Sequence, residues 1–272
     1  MERKSIISFD LDMTLLDHAT YQITESAMEA VERLRKHHRI VVASGRDMDN
    51  YFSFQFRDQL KPDGIIHMNG TKVTVGEESI YNHFMQKELL TELLQFAKAH
   101  ELSLGATIDG KDYYTCPDTV RAHDRKKWGD VGRRFGDADA LLDMPVRTLA
   151  YIGGEDGVKL LEEAFPQMKF PMFAGKVGAD AVEKEASKAE GLKRLCEYWG
   201  IDIRNTAAFG DSMNDMEILQ EAGIGIAMGN GIPELKDAAD YVTADIREDG
   251  VRKACEHFSW FEKFYMASSD VR

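Results

Sequence analysis

The chain alternates short apolar runs with longer stretches in which apolar residues recur every three or four positions. Residues 5–9 form an apolar run that stops at Asp10, which predicts a buried parallel strand whose carboxyl end carries that carboxylate. Residues 24–37 place Ala27, Val31 and Leu34 at helical spacing behind Thr24, a candidate N-cap. Residues 39–43 repeat the strand pattern and end in Ser44-Gly45-Arg46, residues 47–60 predict a second helix, and residues 64–68 a third strand. Residues 72–75 and 79–82 read as a hairpin around Gly76. Strand and helix in alternation imply a parallel sheet with helices packed on its faces.

The same rhythm returns near the C-terminus, with helices predicted over 187–199 and 213–221 and strands over 206–209 and 224–228. The pieces at 232–238, 241–243 and 250–257 continue it. Between residues 83 and 183 the order is less regular. An amphipathic helix over 87–100 buries Leu90, Leu93, Leu94 and Ala97. Strand-like pieces follow at 103–108, 112–115, 147–152 and 169–174, with helices over 117–128 and 156–165. That is an α+β insert of about 100 residues, long enough to be a domain. The expected fold class is therefore α/β: a doubly wound, Rossmann-like parallel-sheet core from residues 1–82 and 184–272, interrupted by an α+β domain over 83–183.

Composition removes several classes of function. Hydrophobic residues are 43% and charged residues 30%, as in an ordinary globular protein. The net charge of −13 argues against a nucleic-acid partner, because such binding depends on cationic contacts to phosphate. No apolar segment has the length of a bilayer span, so no membrane partner is expected. The apolar run at 6–9 is too short for a signal peptide, and a cytoplasmic location is expected. Cys116, Cys196 and Cys255 fit neither a disulfide framework nor a zinc site and are expected to be reduced thiols.

Four separated pieces share one placement, just past the carboxyl end of a predicted strand or at the start of the next helix, where ligands bind in open α/β sheets. They are Asp10-Leu11-Asp12-Met13-Thr14, Ser44-Gly45-Arg46, Lys188, and Gly210-Asp211-Ser212-Met213-Asn214-Asp215. Several carboxylates in one crevice repel each other and require a cation. Hard oxygen ligands suit Mg2+, which binds through one or two carboxylates plus substrate phosphate. A lysine, a serine hydroxyl and backbone N–H groups suit a phosphoryl group. Carboxylates two residues apart supply a nucleophile and a separate acid/base. The competing reading of Asp10-x-Asp12 as a calcium loop fails, because its sixth position is Leu15 instead of Gly and its twelfth is Tyr21 instead of Glu. A lone D-x-D-x-T could merely cap a helix; the four pieces in this order argue against that.

These pieces resemble the haloacid dehalogenase superfamily and, within it, the Cof-type phosphatases, which carry a large α/β cap between the second and third motifs. Phe9-Asp10-Leu11-Asp12-Met13-Thr14-Leu15-Leu16 resembles the first motif and Ala43-Ser44-Gly45-Arg46 the second. Ser187-Lys188 with Gly191-Leu192-Lys193-Arg194-Leu195 resembles the third, and Phe209-Gly210-Asp211-Ser212-Met213-Asn214-Asp215-Met216 the fourth. Ile226-Ala227-Met228-Gly229-Asn230 and Glu248-Asp249-Gly250-Val251 resemble the Cof-type ending. Met13 stands where Gly is usual in the family, and Ala189-Glu190 follow Lys188 where Gly usually comes next.

The resemblance implies catalytic roles for Asp10, Asp12, Ser44 and Lys188. Asp10 would be phosphorylated, Asp12 would act as acid and then base, and Ser44 and Lys188 would hold phosphoryl oxygens. Asp10, Asp12 (through its backbone carbonyl), Asp211 and Asp215 are the implied Mg2+ ligands, Asp215 directly or by orienting Lys188. Thr14, Gly45, Arg46, Asn69 and Asn214 are the candidate substrate-side residues, with Asn214 anchoring the fourth loop. Arg46 reads equally as a surface arginine, and Asn69-Gly70 as a simple turn pair. Asn230 is a weaker candidate for lining the crevice. The basic stretch from His123 to Trp128 reads as a solvated face. The expected substrate is a small phosphorylated metabolite, most plainly a sugar phosphate, with specificity in the cap. A phosphomutase and a non-catalytic binding regulator are the alternatives; Asp10, Asp12, Lys188, Asp211 and Asp215 are all present, which speaks against the regulator.

Overall fold

The computed structural model describes residues 3–50, 53–127, 129, 132–173 and 175–262. It divides into two compact units, Met1–Asn82 with Ala186–Arg272, and His83–Glu185. The first unit opens with β1 (Ile6–Phe9), then a two-residue-stranded hairpin of β2 (Leu16–Asp17) and β3 (Gln22–Ile23). Helix α1 (Glu25–Leu34), β4 (Arg39–Ala43), α2 (Phe54–Leu60), β5 (Gly64–His67), β6 (Lys72–Val75) and β7 (Glu78–Asn82) follow. The helix expected over 47–60 begins only at Phe54. Asp47 Oδ1 accepts from the Asp49 backbone N–H at 3.1 Å, closing a side-chain turn that competes with helix. Positions 51 and 52 of that span lie outside the described residues.

The second unit contains α3 (Lys87–Ala99), β8 (Ser103–Ile108), β9 (Lys111–Tyr114), α4 (Pro117–Lys127), β10 (Leu149–Ile152), α5 (Glu155–Ala164), β11 (Met168–Lys169) and β12 (Gly178–Glu183). Trp128 and Ala174, the ends of two expected elements, lie outside the described residues. The strands form an antiparallel sheet in the order β11-β12-β10-β8-β9. Leu104, Tyr113, Leu149, Tyr151, Ala179 and Ala181 pack in one apolar cluster with Leu90, Leu93 and Leu94 of α3 and Val158 and Leu161 of α5. Strand β12 is absent from the sequence expectation. Its buried residues include Ala179 and Ala181, whose small side chains on either side of Asp180 give a weak apolar signal.

A charged network pins the segment after α4. Arg133 Nη1 donates to Asp112 Oδ1 at 2.9 Å and its Nε donates to Asp124, while Thr107 Oγ1 donates to Asp112 Oδ1 at 2.6 Å. The Asp112 backbone N–H donates to the Arg134 carbonyl at 2.8 Å, and the Gly136 N–H donates back to the Asp112 carbonyl at 2.8 Å. Asp124, expected on a solvated face, is therefore buried and paired.

The chain then returns to the first unit through α6 (Lys188–Trp199), β13 (Thr206–Gly210), α7 (Met216–Glu221), β14 (Ile224–Ala227), α8 (Pro233–Ala238), β15 (Tyr241–Val242) and α9 (Gly250–His257). Its sheet runs β15-β14-β13-β1-β4-β5-β6-β7, parallel from β15 to β5 and antiparallel over the β5-β6-β7 meander. Strand alternation sorts the core into two layers. Ile7, Phe9, Ile40, Val42, Ile65, Ala207, Phe209 and Ile226 face α1 and α9. Their neighbours Ile6, Val41, Ala43, Ile66, Ala208 and Ala227 face α6, α7 and α8. Both faces are covered, so the sheet is doubly wound and α/β, as the sequence pattern implies. No helix among the described residues is long and apolar enough to cross a membrane, and all three cysteines are free thiols.

Candidate active site

The four motif pieces meet at the carboxyl edge of β1, β4, β5 and β13. Asp10 follows β1, and its N–H donates to the Phe209 carbonyl at 2.9 Å, so the ladder to β13 delivers the side chain in register. Ser44 follows β4 and donates its N–H to the Ile66 carbonyl at 2.9 Å. Lys188 is the first residue of α6, whose N-cap Ser187 accepts from the Glu190 N–H at 3.0 Å. β13 ends at Gly210, where an added Cβ would lie 2.4 Å from Asp215 Cβ, so only glycine lets the loop fold back on the strand end.

Lys188 is completely buried, and its Nζ donates to Asp10 Oδ1 and to Asp215 Oδ1, each at 2.6 Å. Asp215 Oδ2 accepts from the backbone N–H groups of Asp211 and Ser212 at 3.0 and 3.1 Å. Carboxylate oxygens of Asp10, Asp211 and Asp215 lie within 4.8 Å of one another, and all three residues are buried. One lysine cannot neutralise three carboxylates. Asp10 is pushed up to about 8, by burial first and by the charges of Asp215 and Asp12, which Lys188 offsets only in part. Asp211 is raised well above the carboxylate range by burial and then by Asp10 and Asp215. Burial works against the Lys188 ammonium, but Asp10 and Asp215 outweigh it and hold the lysine charged. Such a set of hard oxygens with surplus negative charge fits a divalent cation. Both oxygens of Asp215 already accept hydrogen bonds, and a ligand oxygen is available from each of Asp10, Asp211 and Asp215.

The Asp12 side chain points elsewhere. Arg46 Nε donates to its Oδ2 at 2.7 Å and Nη2 to its Oδ1 at 2.5 Å, and His18 Nε2 donates to Oδ1 at 2.6 Å. Burial would raise Asp12, yet the hydrogen bonds from His18 and Arg46 overcome it and hold the carboxyl at about 2. Arg46 also donates to the Tyr21 hydroxyl at 3.0 Å and stands near the Tyr21 and Phe56 rings, so it is a paired, partly buried arginine and not a free surface one. His18 and Tyr21 carried no sequence signal. They arrive through the β2–β3 hairpin, which folds back towards the Asp12 loop.

The remaining candidates fall around this centre. Ser44 Oγ accepts from the Arg46 N–H at 3.1 Å, and Gly45 links the two. Thr14 is fully buried, and its Oγ1 has no protein hydrogen-bond partner among the described residues. Asn69 is buried, and its Oδ1 accepts from Asn214 Nδ2 at 3.1 Å, which makes it more than a turn residue. Asn230 Nδ2 donates to the Met13 carbonyl at 2.8 Å, and its Oδ1 accepts from the Ile246 N–H at 2.9 Å, so it braces the first loop. Met13 has φ 60, the left-handed region that suits glycine, and a methionine there carries strain of about 1 kcal/mol. A second cluster, Asp47, Asp49 and His67, does not read as a metal site. Lys72 and Arg57 pair with Asp49, and both His67 ring nitrogens are occupied, by the Met48 N–H and the Thr74 hydroxyl.

A parallel α/β sheet with a lysine-bridged aspartate cluster at its carboxyl edge defines the class of phosphoryl-transfer hydrolases to which the sequence motifs pointed. A family model of haloacid dehalogenase-like hydrolases matches residues 7–255, and the chain belongs to that family. Its Cof-type relationship and its standing as a phosphatase enzyme rest on relatives along its whole length. The Bacillus subtilis protein YkrA is 31% identical over 266 residues, covering 92% of this chain and 95% of YkrA. The 5-amino-6-(5-phospho-D-ribitylamino)uracil phosphatase YitU of Bacillus subtilis is 26% identical over 274 residues, covering 95% of this chain and all of its own. The solved structure of the HAD subclass IIB sugar phosphatase BT4131 is 29% identical, with a TM-score of 0.82 over 94% of this chain and 99% of that one.

Proposed function

We propose that this chain hydrolyses small phosphomonoesters, sugar phosphates or related metabolites, with Mg2+ as cofactor and a phosphorylated Asp10 as intermediate. The observation that carries the reading is the buried centre in which one lysine bridges two of three clustered carboxylates. Asp10 and Asp211, with the main-chain carbonyl of Asp12, would hold Mg2+, which when bound neutralises charge on the phosphoryl group. Asp215 keeps Lys188 and the fourth loop in place. A carboxylate oxygen of Asp10 attacks phosphorus, and the bond to the leaving oxygen breaks as Asp12 supplies that oxygen's proton. Water then attacks the same phosphorus and gives its proton to Asp12; the Asp10–phosphorus bond breaks, and inorganic phosphate leaves. Lys188 and Ser44 hold the phosphoryl oxygens through both steps. Thr14, Gly45, Arg46 and Asn214 line the substrate side.

The two tasks of Asp12 put different demands on it. Paired with Arg46 and His18 it is charged, as the second step needs. The first step needs a proton on it, so both partners must give way when substrate enters.

The decisive experiment is Asp10→Asn. We expect loss of turnover by about 10⁴-fold or more together with loss of any trapped phosphoenzyme. Normal turnover in the variant would overturn the assignment. Phosphoryl movement between substrate hydroxyls without free phosphate would replace hydrolysis by a mutase reaction. A panel of phosphorylated metabolites compared by kcat/KM then identifies the substrate.

A further inference from the structure

The turn between β5 and β6 stands in an unusual conformation. Met68, Asn69 and Gly70 have φ values of 45, 54 and 90, three successive residues in left-handed backbone. Only the last is glycine, so the turn stores strain that its surroundings must hold. Those surroundings are the active-site loops. The Met68 N–H donates to the Arg46 carbonyl at 3.1 Å and the Asn69 N–H to the Ser44 carbonyl at 3.1 Å. At Gly70 an added Cβ would lie 2.0 Å from the carbonyl oxygen of Ser187, the residue before Lys188.

From this turn the Asn69 side chain reaches the fourth loop. Its Oδ1 accepts from Asn214 Nδ2 at 3.1 Å, while Asn214 Oδ1 accepts from Ser212 Oγ at 2.9 Å and from Lys188 Nζ at 3.3 Å. An asparagine amide offers a donor end and an acceptor end of nearly equal shape, and its partners decide which way it points. Two donors on one end of Asn214 and the Asn69 carbonyl on the other allow one orientation. Turned over, Asn214 would present N–H groups to an ammonium. Asn69 thus completes a path from the Ser44 loop to the third hydrogen bond of the buried lysine.

We propose that Asn69 is a positioning residue: through the amide of Asn214 it fixes the Lys188 ammonium against Asp10, and it does not itself bind substrate. This rests on the phosphatase reading above. It also accounts for asparagine at 69, a residue that tolerates left-handed backbone and brings an acceptor.

Asn69→Gly is the informative variant, because glycine keeps the left-handed turn without strain and removes only the amide. With a small activated phosphate ester we expect kcat to fall roughly 10- to 100-fold with KM within about 3-fold, the pattern of a misplaced catalytic group. Asn69→Gly combined with Asn214→Ala should lose no more than Asn214→Ala alone, since both remove one path. Multiplying losses, or a change confined to KM, would overturn the role. No turnover in the unaltered protein would instead sink the phosphatase reading. The side-chain amide resonances of Asn214 test the contact without any turnover. They should be shifted and slow to exchange in the unaltered protein and move to free-amide positions in Asn69→Gly, and an unchanged signal refutes the proposal.

Discussion

Two networks in this molecule use one device, a cation held between two buried aspartates, with Lys188 itself buried and Arg133 at the surface. In the first unit Lys188 lies between Asp10 and Asp215; in the second, Arg133 lies between Asp112 and Asp124. The difference is what remains unbalanced. Around Arg133, Thr107 donates to Asp112, and the surrounding backbone bonds tie the segment after α4 to β9. Around Lys188 a third buried carboxylate, Asp211, has no cation of its own among the described residues, and Asp10 and Asp211 are both pushed upward. A buried ion pair is weak evidence of function, because structural networks build them too. Surplus charge that the protein leaves uncompensated is the better mark, since it costs stability and is kept for a ligand.

Three experiments can break or sharpen this contrast. The largest effect should come from the metal. Chelation should nearly abolish turnover and Mg2+ restore it; full activity in excess chelator would remove the metal from the account. Burial and like charges push Asp10 up to about 8 and Asp211 upward, so Mg2+ is expected to compete with protons at this centre. Its affinity should therefore rise with pH towards about 8, with proton release seen by calorimetry in buffers of different ionisation heat. The Arg133 network should not respond.

Next comes removal of each cation. Lys188→Met should cost turnover roughly 10²- to 10³-fold or more. Arg133→Met should leave hydrolysis of a small activated ester within about 2-fold but destabilise the second unit by roughly 1–3 kcal/mol, because it takes the cation from two buried carboxylates that keep Thr107 and His123 as neighbours. Kinetics and thermal melts of both variants check this, and a catalytic loss in Arg133→Met as large as that in Lys188→Met would erase the distinction.

The smallest effect concerns a buried polar group in the first unit that is satisfied while neutral. His38 accepts from Ser5 Oγ at Nδ1, 2.7 Å, and donates from Nε2 to the Trp260 carbonyl, 3.0 Å. Burial pushes it below its ordinary 6.5, the Trp260 carbonyl opposes this only in part, and His37 adds to it. The unfolded chain takes up a proton below about 6.5 that the folded protein refuses, so stability is full above that pH and falls as pH drops below it. His38→Gln should flatten that part of the Tm–pH curve; an unchanged curve would show that His38 contributes nothing to it.

The sequence alone determined the parallel α/β core, the strand ends where the acidic and serine motifs fall and the residue types that sit there. Those are local properties: apolar runs of strand length, helical spacing, and a change from apolar to acidic residues at Asp10 and Asp211. The same local signal failed where side chains were small, as in β12, or where a side-chain turn displaced helix, as at Asp47. Only the tertiary structure decided the partners. Asp12 turned to Arg46 and His18, Asn69 met Asn214 across 145 residues of chain, and Arg133 found Asp112 and Asp124. Periodicity says which face of an element is buried, but a hydrogen bond forms between whichever groups the packed elements bring within about 3 Å. That meeting depends on register and loop path through the whole fold, and no stretch of sequence contains it.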